Sequence, residues 1–393
     1  MITACLLVDE SVPGAAVVTG GGSLGDRLTA VGEHLLDVGY LRYKPGTSLV
    51  AALDLASGPA FAYAVSPAAR PKLAKTIAQA PPGSVLVDDT ADDLLVARPA
   101  ADRDLPALAD LERALGSIGV DRESIGCRSQ LAYKPQRRWV GRLGPAGRHL
   151  VARAYRPADL AALLPGWRLA CLAGGDVRVP ALVAVGGRRG LAVTSWLGGT
   201  PLDRLVAEGR VPAGVLSAVG RGLAGLHAAG NRSGGTPVGW APVAGDERIE
   251  RADAVAAQLS QVWPAQGDRV RAVVDWLVAT VPAVDRVHPV HGDFSTDQVI
   301  VDPAGRIGLT DWDRAGWDDP AVDLGSLRAA GLPAADFAEV LTGYASVRDL
   351  PTSIDWQLAW ARLLRLSEPL RRGRADWRHQ VGVRLAELEG NLP

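Results

Sequence analysis

Residues 289–327, PVHGDFSTDQVIVDPAGRIGLTDWDRAGWDDPAVDLGSL, constrain the chain more than any other stretch. An apolar strand runs into an acidic loop; a short Ile-Val-Asp strand, a Pro-Ala-Gly-Arg turn, a short Ile-Gly-Leu-Thr strand and a second acidic loop follow. Asp293 and Asp311 then leave neighbouring strand ends. Two carboxylates held that way, with the side-chain amide of Gln298, are what a divalent metal and a bound polyphosphate require. One carboxylate can accept the proton of an attacking hydroxyl while the other holds the metal on the phosphates.

The rest of the chain supplies a scaffold for such a cleft. Its 393 residues allow two or three packed units at roughly 100–200 residues per domain. With 48% hydrophobic and 22% charged residues the chain reads as soluble and globular, and no run approaches the roughly 20 apolar residues that span a bilayer. Lys+Arg 42 against Asp+Glu 43 leaves no global field to recruit nucleic acid or a membrane surface, so any anion site is local. Three cysteines, Cys5, Cys127 and Cys171, lack metal-ligand spacing and a disulfide pattern, and Asp9 and Glu10 follow directly on the first apolar run, unlike a secretory signal. These features predict a cytoplasmic protein, expected to be monomeric.

A phrase near residue 40 returns about ninety residues later. QLAYKPQRRWVGRLGPAGRHLVARAYRPADLAALL sets Tyr133-Lys134-Pro135 on Tyr43-Lys44-Pro45, Val140 on Val50 and Pro157-Ala158 on Pro67-Ala68, which predicts a duplicated strand unit. Polar, Pro-bearing sequence between the copies turns helical at Leu108, Leu111 and Leu115, putting a boundary near residue 103. Strands dominate before about residue 198 and helices after it. The expected organisation is an N-terminal cap subdomain (1–103), a strand-rich lobe (104–197) and a helical lobe (198–393), an arrangement that suits a ligand cleft between the lobes.

On His291-Gly292-Asp293, then Gln298 five residues on, then Asp311-Trp312-Asp313 and Asp318-Asp319-Pro320-Ala321-Val322-Asp323-Leu324, the sequence resembles the aminoglycoside phosphotransferase and choline kinase superfamily. The resemblance implies an α+β, bilobal, protein-kinase-like fold and ATP- and Mg2+-dependent phosphorylation of a small molecule. It makes Asp293 the catalytic base, Gln298 and Asp311 the metal ligands, and Asp323 a brace for the catalytic loop. Gln in place of the commoner Asn, with a cap, is similar to actinobacterial maltokinases and glucosamine kinases. TSWLGGTPL (194–202) looks like the hinge whose backbone near Ser195, Trp196 and Leu197 bonds the adenine, and His227 in LAGLHAAG looks structural.

The usual strand lysine and helix glutamate are missing. Lysine stops at Lys134, so phosphate contact falls to Arg153, the favoured candidate, or to Lys134. Residues 137–148 could cover the phosphates, although a plain hairpin fits them better. On the acceptor side, Asp297, Asp313, Asp318 and Asp319 form an acidic surplus that suits a cationic sugar such as glucosamine, ahead of maltose and aminoglycosides. Part of that surplus is also what loop solvation and capping would use. Glu368 either meets the acceptor or pairs with Arg365 or Arg372; Trp317 and Trp377 are possible stacking platforms among tryptophans that mostly fill the core. The alternative of another class is a pseudokinase that binds without turnover.

Overall fold

Two five-stranded antiparallel sheets share one topology. The computed structural model describes residues 7–20, 22–173, 177–232, 245–284 and 286–390, so Cys5 and the extreme N-terminus lie outside the described residues. The first sheet contains β1 (Leu35–Lys44), β2 (Ser48–Leu55), β3 (Gly58–Val65), β4 (Val85–Asp89) and β5 (Leu94–Ala97) in the order β1-β2-β3-β5-β4. The second contains β6 (Ser129–Lys134), β7 (Arg138–Leu143), β8 (Leu150–Tyr155), β9 (Leu182–Gly186) and β10 (Leu191–Ser195) in the order β6-β7-β8-β10-β9. Each inserts a helix between its third and fourth strands, Arg70–Gln79 and Pro157–Leu169. Pro67 and Pro157 open these helical segments, where a missing N–H removes no hydrogen bond.

The duplication extends to hydrogen bonds. In the first unit the Tyr43 hydroxyl (2.7 Å) and the Gly46 N–H (2.8 Å) both donate to Asp9. In the second, the Tyr133 hydroxyl (2.9 Å) and the Gln136 N–H (2.7 Å) both donate to Asp102. Gly46 and Gln136 hold left-handed backbone at φ 66 and φ 60, free for glycine and strained for glutamine, and the Asp102 carboxylate pins the strained one. Burial pushes the Asp102 carboxyl up to about 6 despite these donors. A carboxyl raised above its unfolded value loses folding stability as pH rises. Relative to Asp102→Asn, the wild type should lose about 3 kcal/mol between roughly pH 4 and pH 6. Denaturant melts of both proteins across that range check this, and a pH-independent difference would refute it.

The first sheet is packed on both faces. Strand alternation sends Leu49, Ala51 and Leu53 to one face, where they join a core built with helices Gly245–Val262, Gly267–Ala279, Ile354–Arg365 and Trp377–Glu389. The opposite face, with Val50, Phe61 and Tyr63, packs with Trp139, Leu143, Ala152 and Val193 of the second sheet. The first unit is therefore wedged between the second sheet and the late helices.

In the C-terminal half, helices Val215–Arg232, Ala321–Ala329 and Ala334–Ala345 support short strand pairs. Strand β12 (His288–Val290) pairs with β15 (Gly316–Asp318), and β13 (Val299–Val301) pairs with β14 (Ile307–Leu309) and with β11 (Thr200–Pro201). The two acidic loops run side by side from these ribbons, joined where Thr310 N–H donates to the Gln298 carbonyl at 2.9 Å. Among the described residues, no helix is long and apolar enough to cross a membrane.

Candidate active site

The loop bearing Asp293 is fixed from beneath. Asp323, fully buried on helix Ala321–Ala329, accepts the His291 N–H (2.7 Å) and the Gly292 N–H (2.8 Å), and pairs with His227 Nε2 at 3.0 Å. Burial alone would raise this carboxyl; the His227 contact and the loop N–H groups hold it below the ordinary carboxylate range. His227 bonds on its other side to the Tyr344 hydroxyl at 2.9 Å and is wholly enclosed. Gly292 has φ 81, and a Cβ there would stand 2.1 Å from the Arg314 carbonyl oxygen. Gly292→Ala should therefore displace the loop and lower activity at least tenfold while most of the fold survives, as a turnover assay beside a thermal melt would show.

Asp293 is partly exposed, with Arg314 3.5 Å from one oxygen and Arg365 3.8 Å from the other. Gln298 is buried and its Oε1 has no hydrogen-bond partner. Asp311 sits in left-handed backbone, φ 62 and ψ 52, at the start of the second loop. Both its oxygens meet Arg138, Nη1 at 2.6 Å and Nη2 at 3.2 Å. Burial would raise the Asp311 carboxyl, but the Arg138 guanidinium overrides it and holds it low. Arg138 Nη1 also reaches Asp313 at 2.6 Å, and Asp313 further accepts from the Tyr155 hydroxyl (2.9 Å) and Trp167 Nε1 (3.1 Å).

On the second sheet, Arg153 is buried in β8, bonded to Thr194 Oγ1 at 3.0 Å and lying over the Trp167 ring at 5.9 Å. Its charge, after that of Arg138, helps hold the Asp311 carboxyl low. Lys134, at the end of β6, stands 5.9 Å from the Tyr40 ring; desolvation and then Arg138 push its ammonium below its ordinary value. Residues 137–148 form the plain β7–β8 hairpin, and its turn lies beside His149, which meets Trp196 edge-on at 5.8 Å. The turn near the acids is instead Pro135–Arg137, between β6 and β7. Ser195 ends β10, its N–H bonded to Ala181 at 2.8 Å, and Trp196 and Leu197 lead out of the sheet.

Several acceptor candidates have other partners. Asp318 forms a buried ion pair with Arg248; burial raises its carboxyl and Arg248 only partly offsets that. Asp319 caps helix Ala321–Ala329 through the Ala321 N–H at 2.9 Å and accepts Gln357 Nε2 at 3.3 Å. Asp313 is committed to Arg138 and Tyr155. Asp297 is exposed and bonded to the Ser295 hydroxyl. Glu368 pairs with Arg365 at 3.1 Å. Trp377 is fully buried against Trp263 and Trp317 is buried as well, so neither offers a ring to a sugar. Sequence reading paired Arg365 with Glu368 but missed its approach to Asp293, and it missed Arg138 and Arg314 as partners of Asp311 and Asp293: each of these contacts joins two different elements, so no local spacing marks it. Among the described residues no three His, Cys, Asp or Glu cluster as a metal cage; Gln298 and Asp311 would leave most of a metal's coordination to phosphate and water.

A strand-rich half closing over two acidic loops from a helical half defines a kinase-like phosphotransferase with an alcohol acceptor. The chain belongs to the phosphotransferase enzyme family (APH), whose pattern it matches over residues 131–363, more than half its length. A choline/ethanolamine kinase family protein from Mesorhizobium loti superposes with a TM-score of 0.52 at 20% identity, over 72% of this chain and 94% of its own. An amicoumacin kinase solved with AMP-PNP, Ca2+ and Ami gives 0.54 at 17%, over 75% and 95%. A choline kinase from Streptococcus pneumoniae gives 0.51 at 13%, over 71% and 98%. At these identities the likeness is one of fold. No curated protein matches the sequence significantly.

Proposed function

We propose that the protein transfers the γ-phosphoryl group of ATP to a hydroxyl of a small polyhydroxylated acceptor, with the nucleotide clasped between residues 104–197 and 198–393. The observation that carries this reading is the pair of loops joined through Thr310 and Gln298, with Asp293 on one, Asp311 on the other, and the Gln298 Oε1 enclosed without a partner. Asp293 orients the hydroxyl and accepts its proton. Gln298 and Asp311 are the side chains that would hold Mg2+, which supplies charge neutralisation on the phosphates. Arg153 and Lys134 grip phosphate oxygens, and the Ser195–Leu197 backbone receives the base. Free, exposed Cys127 and Cys171 suit a cytoplasmic setting, and we take the protein as a monomer.

Arg138 favours a second reading. Its two bonds to Asp311 block a metal ligand, an arrangement that suits a binding module without turnover. In the phosphotransferase reading Arg138 exchanges that aspartate for a phosphate. Arg138→Gln should then raise KM for ATP about tenfold, the loss of one charge-assisted contact. Greater activity in the variant would show that Arg138 only obstructs.

Glucosamine, maltose and aminoglycosides are the acceptors the sequence ranks first to third. Engagement of Asp313, Asp318, Asp319 and Glu368 removes the main support for an amine. ADP release with ATP and magnesium across glucosamine, N-acetylglucosamine, glucose, maltose and aminoglycosides tests the ranking. Turnover confined to glucosamine would restore it.

A further inference from the structure

The half of the site formed by the late helices is basic. From Ala361 to Arg374 the chain carries five arginines and one acid, Glu368. Glu368 is shared among Arg365 (3.1 Å), Arg384 (3.5 Å) and Arg372 (4.0 Å). Arg365 and Arg314 flank Asp293 from two sides. Two guanidinium groups thus stand beside the atom that would receive the acceptor's proton.

Arg371 is one of these groups that is only partly compensated. It is half-buried, its Nη2 bonds the Leu364 carbonyl at 2.9 Å, and its Nε is enclosed with no partner. No carboxylate forms an ion pair with it among the described residues. Desolvation lowers its guanidinium, and the charges it feels next, after Glu368, are Tyr40, Arg314 and Arg137. Its helix, Glu368–Arg371, packs against β1, and Glu368 ties that helix to Arg365 beside Asp293. A guanidinium drawn out of water without an anion is unfavourable unless an anion arrives.

We infer that the acceptor is a small hydroxylated anion whose carboxylate or phosphate is received by Arg371 and Arg314 while its hydroxyl lies against Asp293. This rests on the phosphotransferase reading of Asp293. The acceptor oxygen bonds to the γ-phosphorus, the bond from that phosphorus to the β–γ bridging oxygen breaks, ADP leaves, and the hydroxyl proton passes to Asp293. Arg365, held by Glu368, stays beside Asp293 and screens the acceptor's charge from the incoming phosphoryl group. An amine in the same place would face Arg314, Arg365 and Arg371.

Steady-state ADP release by the whole protein with ATP and magnesium, on acceptors matched in shape and differing in charge, tests the inference. The set is glucose, glucosamine, gluconate, glucuronate, glucose 1-phosphate and glucose 6-phosphate. At least one anion should show KM tenfold or more below both glucose and glucosamine, and the better of the carboxylate and phosphate pairs identifies the group received. Arg314→Gln, at an exposed position, should raise that KM about tenfold with KM for ATP unchanged; Arg371→Gln should do the same, and Arg371→Lys should recover part of the loss. Glucose or glucosamine as the best acceptor overturns the inference, as does equal KM in both arginine variants. Without turnover, thermal shift decides: AMP-PNP and magnesium raising the melting temperature, with none of the four anions adding to it, sinks the anionic acceptor and keeps the nucleotide site. Failure of AMP-PNP itself to bind sinks the phosphotransferase reading and this inference with it.

Discussion

Asp293→Asn should lower kcat for phosphoryl transfer by about 10³-fold, within the range typical of a lost general base. Asparagine keeps the shape and loses the proton acceptor. Stability should hardly move, because Asp293 is partly exposed and its contacts with Arg314 and Arg365, at 3.5 Å and 3.8 Å, are long. AMP-PNP affinity should stay within a few fold, since in the proposed reaction Asp293 meets the acceptor's hydroxyl and not the nucleotide. Single-turnover transfer beside a calorimetric titration separates these effects. A variant keeping more than a tenth of wild-type turnover would remove Asp293 from the chemistry.

Asp323→Ala should destabilise the fold by about 3–5 kcal/mol, the typical cost of removing one partner from a buried charged network. The substitution strands the His291 and Gly292 N–H groups and His227 Nε2 with no acceptor in a site closed to water. Activity should fall even at temperatures where the variant is folded, because the same carboxylate sets the direction of the Asp293 loop. Its folded-state carboxyl is held low, so its stabilisation is present above the ordinary carboxylate range and is lost as pH falls through it. Denaturant melts of wild type and variant should therefore converge in acid. A loss under 1 kcal/mol at neutral pH would contradict the bracing role.

What the sequence revealed and what it hid follow from the range of the interactions. The two acidic loops were legible because strand, turn and strand lie within one short stretch, and β13 and β14 pair as that spacing requires. The repeat was legible at Tyr43 and Tyr133, whereas its shared carboxylate was not: Asp9 and Asp102 lie well upstream and out of step with the tyrosine spacing. Residue type offered Trp377 as a stacking platform without showing that Trp263 closes over it. The acidic surplus misled for the same reason. Arg138 stands 173 residues from Asp311 and Arg248 stands 70 from Asp318, and one-dimensional spacing carries no sign of such partners.

Transfer of label from γ-labelled ATP, with magnesium, to members of the combined acceptor panel tests the central claim most directly. The wild type should place label on an acceptor hydroxyl, and Asp293→Asn should leave that acceptor unlabelled while still binding AMP-PNP. Equal labelling by both proteins, or label released only as inorganic phosphate by both, would contradict a phosphotransferase built on Asp293.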